Sequence, residues 1–396
     1  MPEWSEFWWT SITGPRNLCD AVSRALHNKS SVCLVVPDDL PWRDEMRASI
    51  ETGMHQMPDM ESFYVEFIDV EDECSDIADI GRYLMERYAL PEIAAGYRGR
   101  EKLQKYILDK QVLDNRVLWI KGMNASQEKR WLQFCRDYVP VKDSDGRFVF
   151  LGARWPDKEN ERRNLAVIRY GDTIKRYDLT LFNSIYLNRE KGTYSAIWQQ
   201  YAAVMCALLC NTDAETSQAF MDTCDFTAEE PIIGMRKIAA DGAYLRRAES
   251  SNLHILSLVR KESISAIDAQ IWKAQLQVLF PLLEIERVSF IKRYRKQVQE
   301  ALGEKYHDFR TGRSQYIYQF GETVSDPDNA ELGTIYRMTK LRRDADAYQY
   351  LLYIPNEQSR SRIELLHDLR NSLAHGNTCA IDKVIEFING HPFDWN

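Results

Sequence analysis

The sequence predicts two architectures in one chain: an α/β domain with a mostly parallel sheet over residues 1–175 and an all-α domain over 261–396, joined by a helical connecting region at 176–260. Three observations predict this. Short apolar runs alternate with amphipathic stretches through the first part, as expected of buried parallel strands covered by helices. From about residue 194 strand signals fade and helical periodicity dominates. The length, 396 residues, exceeds what one ordinary core organises, so two domains are expected.

In chain order, 17–27 reads as a helix with Leu18, Val22 and Leu26 on one side. The run 31–36, Ser-Val-Cys-Leu-Val-Val, is continuous and apolar and ends at Pro37, which suits a buried strand. A helix at 42–51, a strand at 63–68, helices at 77–88 and 100–108, a strand at 117–120 and a helix at 126–138 follow. Two further strands are expected at 148–151 and 165–168, with a charged loop at 155–163 between them and the sheet ending near Tyr170. Beyond it, 196–209 is a compact apolar helix, and shorter helices run to about Leu245. The longest helical pattern is 265–302, carrying Trp272, Leu276, Leu279, Leu283 and Val288, with Pro281 expected to kink or split it. A polar loop is expected at 322–332, a helix at 336–353, and a final helix at 359–375.

Composition narrows the function classes. No stretch approaches the roughly 18–20 apolar residues that span a bilayer, so no membrane partner is expected. The acidic, aromatic start Met1-Pro2-Glu3-Trp4 is not a secretory leader, which points to a cytoplasmic protein. The cysteines at 19, 33, 74, 135, 206, 210, 224 and 379 contain no Cys-x2-Cys pair and read as buried free thiols. The seven histidines lack ligand spacing, so no metal is expected. Net charge is −8, yet between positions 287 and 313 eight basic residues face three acidic ones. Arg287, Lys292, Arg293, Arg295, Lys296, Arg310 and Arg313 are therefore candidate nucleic-acid contacts, since a local basic surface binds phosphates even on an acidic protein.

The strand and helix order over about 15–170 resembles the core of P-loop NTPases, including the AAA-type and STAND-type relatives. The motifs of that family are missing. A phosphate-cradling loop closes backbone N–H groups around the phosphates and needs glycines and a lysine. Here the loop reads Pro37-Asp38-Asp39-Leu40-Pro41-Trp42, whose prolines remove donors and whose aspartates repel phosphate. After the third strand, where the family holds a metal-binding acidic pair, the chain reads Lys121-Gly122-Met123-Asn124. Either a degenerate, non-hydrolysing ATPase-like domain or an unrelated parallel α/β fold is expected, with no nucleotide cofactor.

The sharpest motif is Asp368-Leu369-Arg370-Asn371-Ser372-Leu373-Ala374-His375-Gly376. An apolar stripe of Ile363, Leu366, Leu369 and Leu373 makes it the end of an amphipathic helix, with Gly376 in the C-cap role. Arg370 and His375 stand five residues apart, about 140° around the axis, and Asn371 shares a face with His375. The spacing alone occurs four times, also as Arg247/His254, Arg360/His367 and Arg362/His367, but only Arg370 is followed by Asn, Asp or His. The segment resembles the R-x4-6-H motif of HEPN domains, helical modules many of which cut RNA. The resemblance implies Arg370 as phosphate clamp, His375 as the acid–base residue and Asn371 as a positioning residue. The chemistry suits them, because histidine titrates in the working range and arginine holds phosphate oxygens bidentately. In HEPN ribonucleases two motifs meet at a dimer interface to form one composite site.

The function the resemblance implies is that of a prokaryotic defence or stress protein with metal-independent RNA cleavage. Its regulators would be the N-terminal domain or a partner, and RNA, a second copy of the chain or proteins of a defence operon its partners. Two alternatives stand beside it. One is a non-catalytic scaffold or adaptor of a multi-protein phage-defence complex. The other is a regulatory nucleic-acid-binding protein resting on the basic segment at 287–313.

Overall fold

The computed structural model describes residues 3–74, 77, 79–152, 164–250, 254–343 and 349–395. The expected charged loop at 155–163 lies outside these residues. The chain divides into two compact units, one of residues 1–182 with 212–216, the other of residues 183–211 with 217–396.

The first unit is built on five parallel strands, β1 (Ser31–Val35), β2 (Tyr64–Asp69), β3 (Arg116–Lys121), β4 (Arg147–Gly152) and β5 (Leu165–Arg169), in the order β2-β3-β4-β1-β5. The apolar run read as a buried strand is β1. It pairs with β4 through Val32 and Val149 and with β5 through Val32 and Ala166, so both of its edges are satisfied. Val32, Cys33 and Leu34 are at most 1% exposed, which explains why this strand shows no polar alternation. On one face Cys33, Leu118, Phe148 and Phe150 join Trp131, Phe134 and Cys135 of the helix Ala125–Asp137 in a single core.

The helices Trp4–Ser11, Thr13–His27 and Arg43–His55 pack on one another. Trp8 and Trp9 of the first are fully buried, which gives the aromatic N-terminus a structural role. Gly14 lets the backbone approach Asp178, whose carboxylate accepts from the N–H groups of Gly14 (3.0 Å) and Lys175 (2.8 Å). A side chain there would place its Cβ 2.5 Å from Asp178 Oδ2.

The second unit is helical. Its axis is the helix Ile264–Gly303, against which the almost wholly buried helix Ala196–Cys210 packs. The helix runs on through Pro281, so the proline does not split it. The proline and Gln277, whose carbonyl loses its partner, are both exposed, so water can satisfy the open group. The helix departs from helical geometry at Tyr294 instead (φ −105°, ψ 20°). Val288, expected on the apolar face, is 41% exposed.

Two departures concern the stretch before the motif. The expectation of an all-α domain is corrected by two short antiparallel hairpins, β6 (Tyr306–Asp308) with β7 (Arg313–Gln315) and β8 (Tyr318–Gln319) with β9 (Glu322–Thr323). The expected helix at 336–353 is a shorter one, Leu332–Lys340, after which Arg342 bridges to Tyr350. The helix Glu357–Ala374 carries the motif, and Ile381–Asn389 follows it. Among the described residues no helix is long and apolar enough to cross a membrane.

Candidate functional site

The motif helix is fixed at both ends. Asn356 caps its start, accepting from the N–H groups of Gln358 (2.8 Å) and Ser359 (3.3 Å). At its end Gly376 N–H donates to Leu373 O and Asn377 N–H to Ser372 O, the paired bonds of a Schellman turn. That turn needs a left-handed residue, and Gly376 supplies it at φ +78°. Ala-His-Gly therefore has a structural reason, and it leaves His375 as the exposed C-cap.

The long helix holds this terminus in place. Trp272 Nε1 donates to Leu373 O at 2.8 Å. The Gln275 amide bonds Cys379 twice, accepting from its N–H at 2.7 Å and donating to its C=O at 3.0 Å. Glu286 of the long helix pairs with buried Arg362 of the motif helix.

The three motif residues have separate surroundings. Arg370 Nη2 lies 3.0 Å from Glu331 Oε2, with both side chains partly exposed. Asn371 Nδ2 bonds His367 Nε2 at 3.0 Å, not His375, with which it was expected to work. His367 in turn stacks on Tyr336, ring centroids 4.0 Å apart and planes at 15°. Its Nδ1 is 3.5 Å from Asp368 Oδ1 but makes no hydrogen bond, so this ion-pair distance marks proximity and not a directed contact. Asp368 pairs with Lys383 at 2.6 Å, and that bond holds its carboxyl below the usual range. His375 has no side-chain partner among the described residues.

The other matches to the arginine–histidine spacing are structural. Arg362 bonds Glu286 and the backbone of Phe387 (3.0 Å), and Arg360 donates to the carbonyls of Ile354 and Pro355. Arg247 lies over the ring of Tyr244. Of the four pairs, Arg370 and His375 are the one in which the histidine is open to solvent and the arginine is held by a partly exposed carboxylate.

The basic segment divides. Arg287 bonds Glu284 and the carbonyls of Asp328 and Ala330, Arg293 bonds the Trp395 carbonyl, and Arg295 bonds Asp328 and Asp326. These three build the fold. Lys292, Lys296, Arg310 and Arg313 are exposed and have no carboxylate within ion-pair distance among the described residues. Arg310 and Arg313 belong to the first hairpin, beside exposed aromatics that periodicity did not single out. The signal for them was present in the two short polar–aromatic stretches, each broken by an X-Gly turn at Gly312 and Gly321.

In the first unit, the loop after β1 leads to Trp42, which sits in the left-handed region (φ 43°) ahead of the helix Arg43–His55. Its N–H donates to Glu215 Oε2 at 2.9 Å and its carbonyl accepts from Trp9 Nε1 at 3.1 Å. A carboxylate thus meets the backbone at the helix entrance, where a phosphate-binding loop would present free donors. After β3, Lys121 pairs with Asp69 (2.9 Å) and lowers the pKa of that carboxyl, and Asn124 caps the next helix.

The chain matches no protein-family model and no curated protein.

Proposed function

We propose that the C-terminal unit is a HEPN-like, metal-independent endoribonuclease module acting in a prokaryotic defence or stress response. The observation that carries the reading is the setting of His375. It is an exposed histidine with no side-chain partner at the fixed end of a buried amphipathic helix, with Arg370 five residues before it on a weak, partly exposed ion pair. In this reading an imidazole removes the ribose 2′-OH proton, the oxygen attacks phosphorus, and the P–O5′ bond breaks. The products are a 2′,3′-cyclic phosphate and a 5′-OH protonated by a second imidazole. Arg370 stabilises the charged phosphorane, leaving Glu331 for the phosphate oxygens. One chain presents one His375, so two copies supply the acid and the base. The first unit then serves as regulator and has the layout of a P-loop-like domain without its phosphate-binding chemistry.

The test is incubation of the purified protein with total RNA in EDTA, comparing the wild type with His375→Ala and Arg370→Ala. Cleavage by the wild type and none by either variant is expected. No cleavage by the wild type, alone or with its partners, would sink the activity, and equal cleavage by the variants would sink the assignment.

A second reading, a non-catalytic scaffold or adaptor within a defence complex, is favoured by one specific observation. Asn371 is bonded to His367 and so stands away from the role of positioning His375. A protein that copurifies in a stable complex and protects cells equally well as His375→Ala would fit this reading instead.

A further inference from the structure

The two hairpins at 306–323 present aromatic rings and cations together. Phe309, in the turn of the first, is 62% exposed, and Phe320, in the turn of the second, is 85% exposed. Tyr316 and Tyr318 between them are 40% and 47% exposed. Four large rings left in water within twelve residues of chain are more than scattered surface apolar residues, and such a concentration points to a contact surface.

Phe320 is held there against its own preference. The loop between β8 and β9 is the two-residue turn Phe320-Gly321, with φ +53° and +87°, the type I′ form. Its first position suits Asn, Asp or Gly, and a bulky residue there meets the steric penalty of the left-handed region. The phenyl ring gains no burial in return. Strain of this kind, unrewarded within the fold, points to a use outside it.

Charge decides what the surface fits. Lys305, Arg310 and Arg313 are exposed, with Lys305 Nζ 5.1 Å from the Tyr316 ring centroid. Asp308 is engaged inside its own hairpin, accepting from Arg310 N–H (3.0 Å), Thr311 Oγ1 (2.8 Å) and Gln315 Nε2 (2.7 Å). Glu322, in β9, is the other carboxylate of the pair of hairpins. Rings interleaved with cations are what an unpaired strand requires, since bases stack on the rings while phosphates meet the cations. The three cations stand against two carboxylates, Asp308 and Glu322, and Asp308 is taken up by donors of its own hairpin.

We propose that this hairpin pair is a docking surface for single-stranded RNA, with bases stacked on Phe309 and Phe320 and phosphates held by Lys305, Arg310 and Arg313. The choice of RNA over DNA rests on the ribonuclease reading, whereas binding of a single strand does not.

The experiment is fluorescence anisotropy of a labelled 15-nucleotide oligouridylate with the full chain carrying His375→Ala, in EDTA, at two salt concentrations. Phe309→Ala and Phe320→Ala are each expected to weaken binding about tenfold or more, with Phe→Trp at either site retaining it. Arg310→Glu with Arg313→Glu should weaken it further and lower the salt dependence by about two phosphate contacts. The same-length DNA strand binding equally tightly would overturn the assignment to RNA. Absence of strand binding, or variants that bind as the parent does, would overturn the surface itself, as would loss of self-association as their sole effect. A protein that binds the strand without ever cleaving RNA would sink the ribonuclease reading and leave this surface standing.

Discussion

Arg362 of the motif helix and Glu286 of the long helix form a two-pronged ion pair, Nε to Oε2 at 2.8 Å and Nη2 to Oε1 at 2.5 Å, with 4% and 2% of their side chains exposed. His391 Nδ1 adds a third contact, 2.6 Å from the same Oε1. Removing one partner strands a charge in the interior. Glu286→Ala is expected to destabilise the second unit by roughly 3–5 kcal/mol, whereas replacing both Glu286 and Arg362 with apolar residues of similar size should recover most of it. Urea unfolding of the single and double variants checks this, and equal losses in the two would contradict it.

His375 is exposed and unbonded through its side chain, so His375→Ala should leave stability within about 0.5 kcal/mol while abolishing cleavage. A thermal melt beside the RNA assay separates the two effects.

Glu331 holds the guanidinium that would clamp phosphate. Glu331→Gln is therefore expected to raise RNA affinity several-fold and to cost only about 0–1 kcal/mol of stability, as for partly exposed pairs. Unchanged or weakened affinity in a filter-binding assay would argue that Arg370 never meets the nucleic acid.

Asp368 and Lys383 predict a pH dependence. The bond to Lys383 lowers the carboxyl pKa and the bond to Asp368 raises the ammonium pKa. The depressed carboxyl contributes stability above its unfolded value, near 3.8, and loses it as pH falls through the folded value. The raised ammonium contributes fully below its unfolded value, near 10.5, and loses it as pH rises through its folded one. Lys383→Ala should thus lose stability at pH 7 and lose less at pH 3, as read by urea titration at the two pH values.

All eight cysteines are buried, and burial pushes the thiols of Cys19, Cys135, Cys224 and Cys379 up to about 12. Thiolate is the reactive form, so alkylation at pH 8 should be slow for the native chain and rapid for all eight after unfolding. Fast labelling of any one native cysteine, located by mass spectrometry, would show local opening there.

The middle of the first unit's sheet was legible because β1, β3 and β4 are central. Val32 to Leu34 bury both faces, so their sequence is unbroken and apolar, and the turns around them are marked by Pro37 and Gly122. The hairpins were not legible, since β8 and β9 are two residues each and too short to show a period. Within the site, the helix end was readable from Gly376, and its neighbours were not. Nothing in the spacing of Asn371 says that it bonds His367, four residues earlier, in preference to His375, four residues later. Tyr336 decides it by stacking His367 in place from another helix. Likewise the spacing to a histidine does not distinguish Arg362 from Arg370, whereas burial against Glu286 gives Arg362 a structural part.

The amide of Gln275, bonded to both backbone groups of Cys379, reaches beyond local packing. It ties the chain just past the motif to a helix that begins about a hundred residues earlier. The end of the motif helix is thereby anchored from its far side as well as through Leu373, so a chain cut between Gly376 and Cys379 would keep every residue of the motif and lose one of its two ties to the long helix. The smallest fragment that keeps this helix end in place is then set by the long helix and by the residues after the motif, and the nine letters that announce the motif are not a separable part.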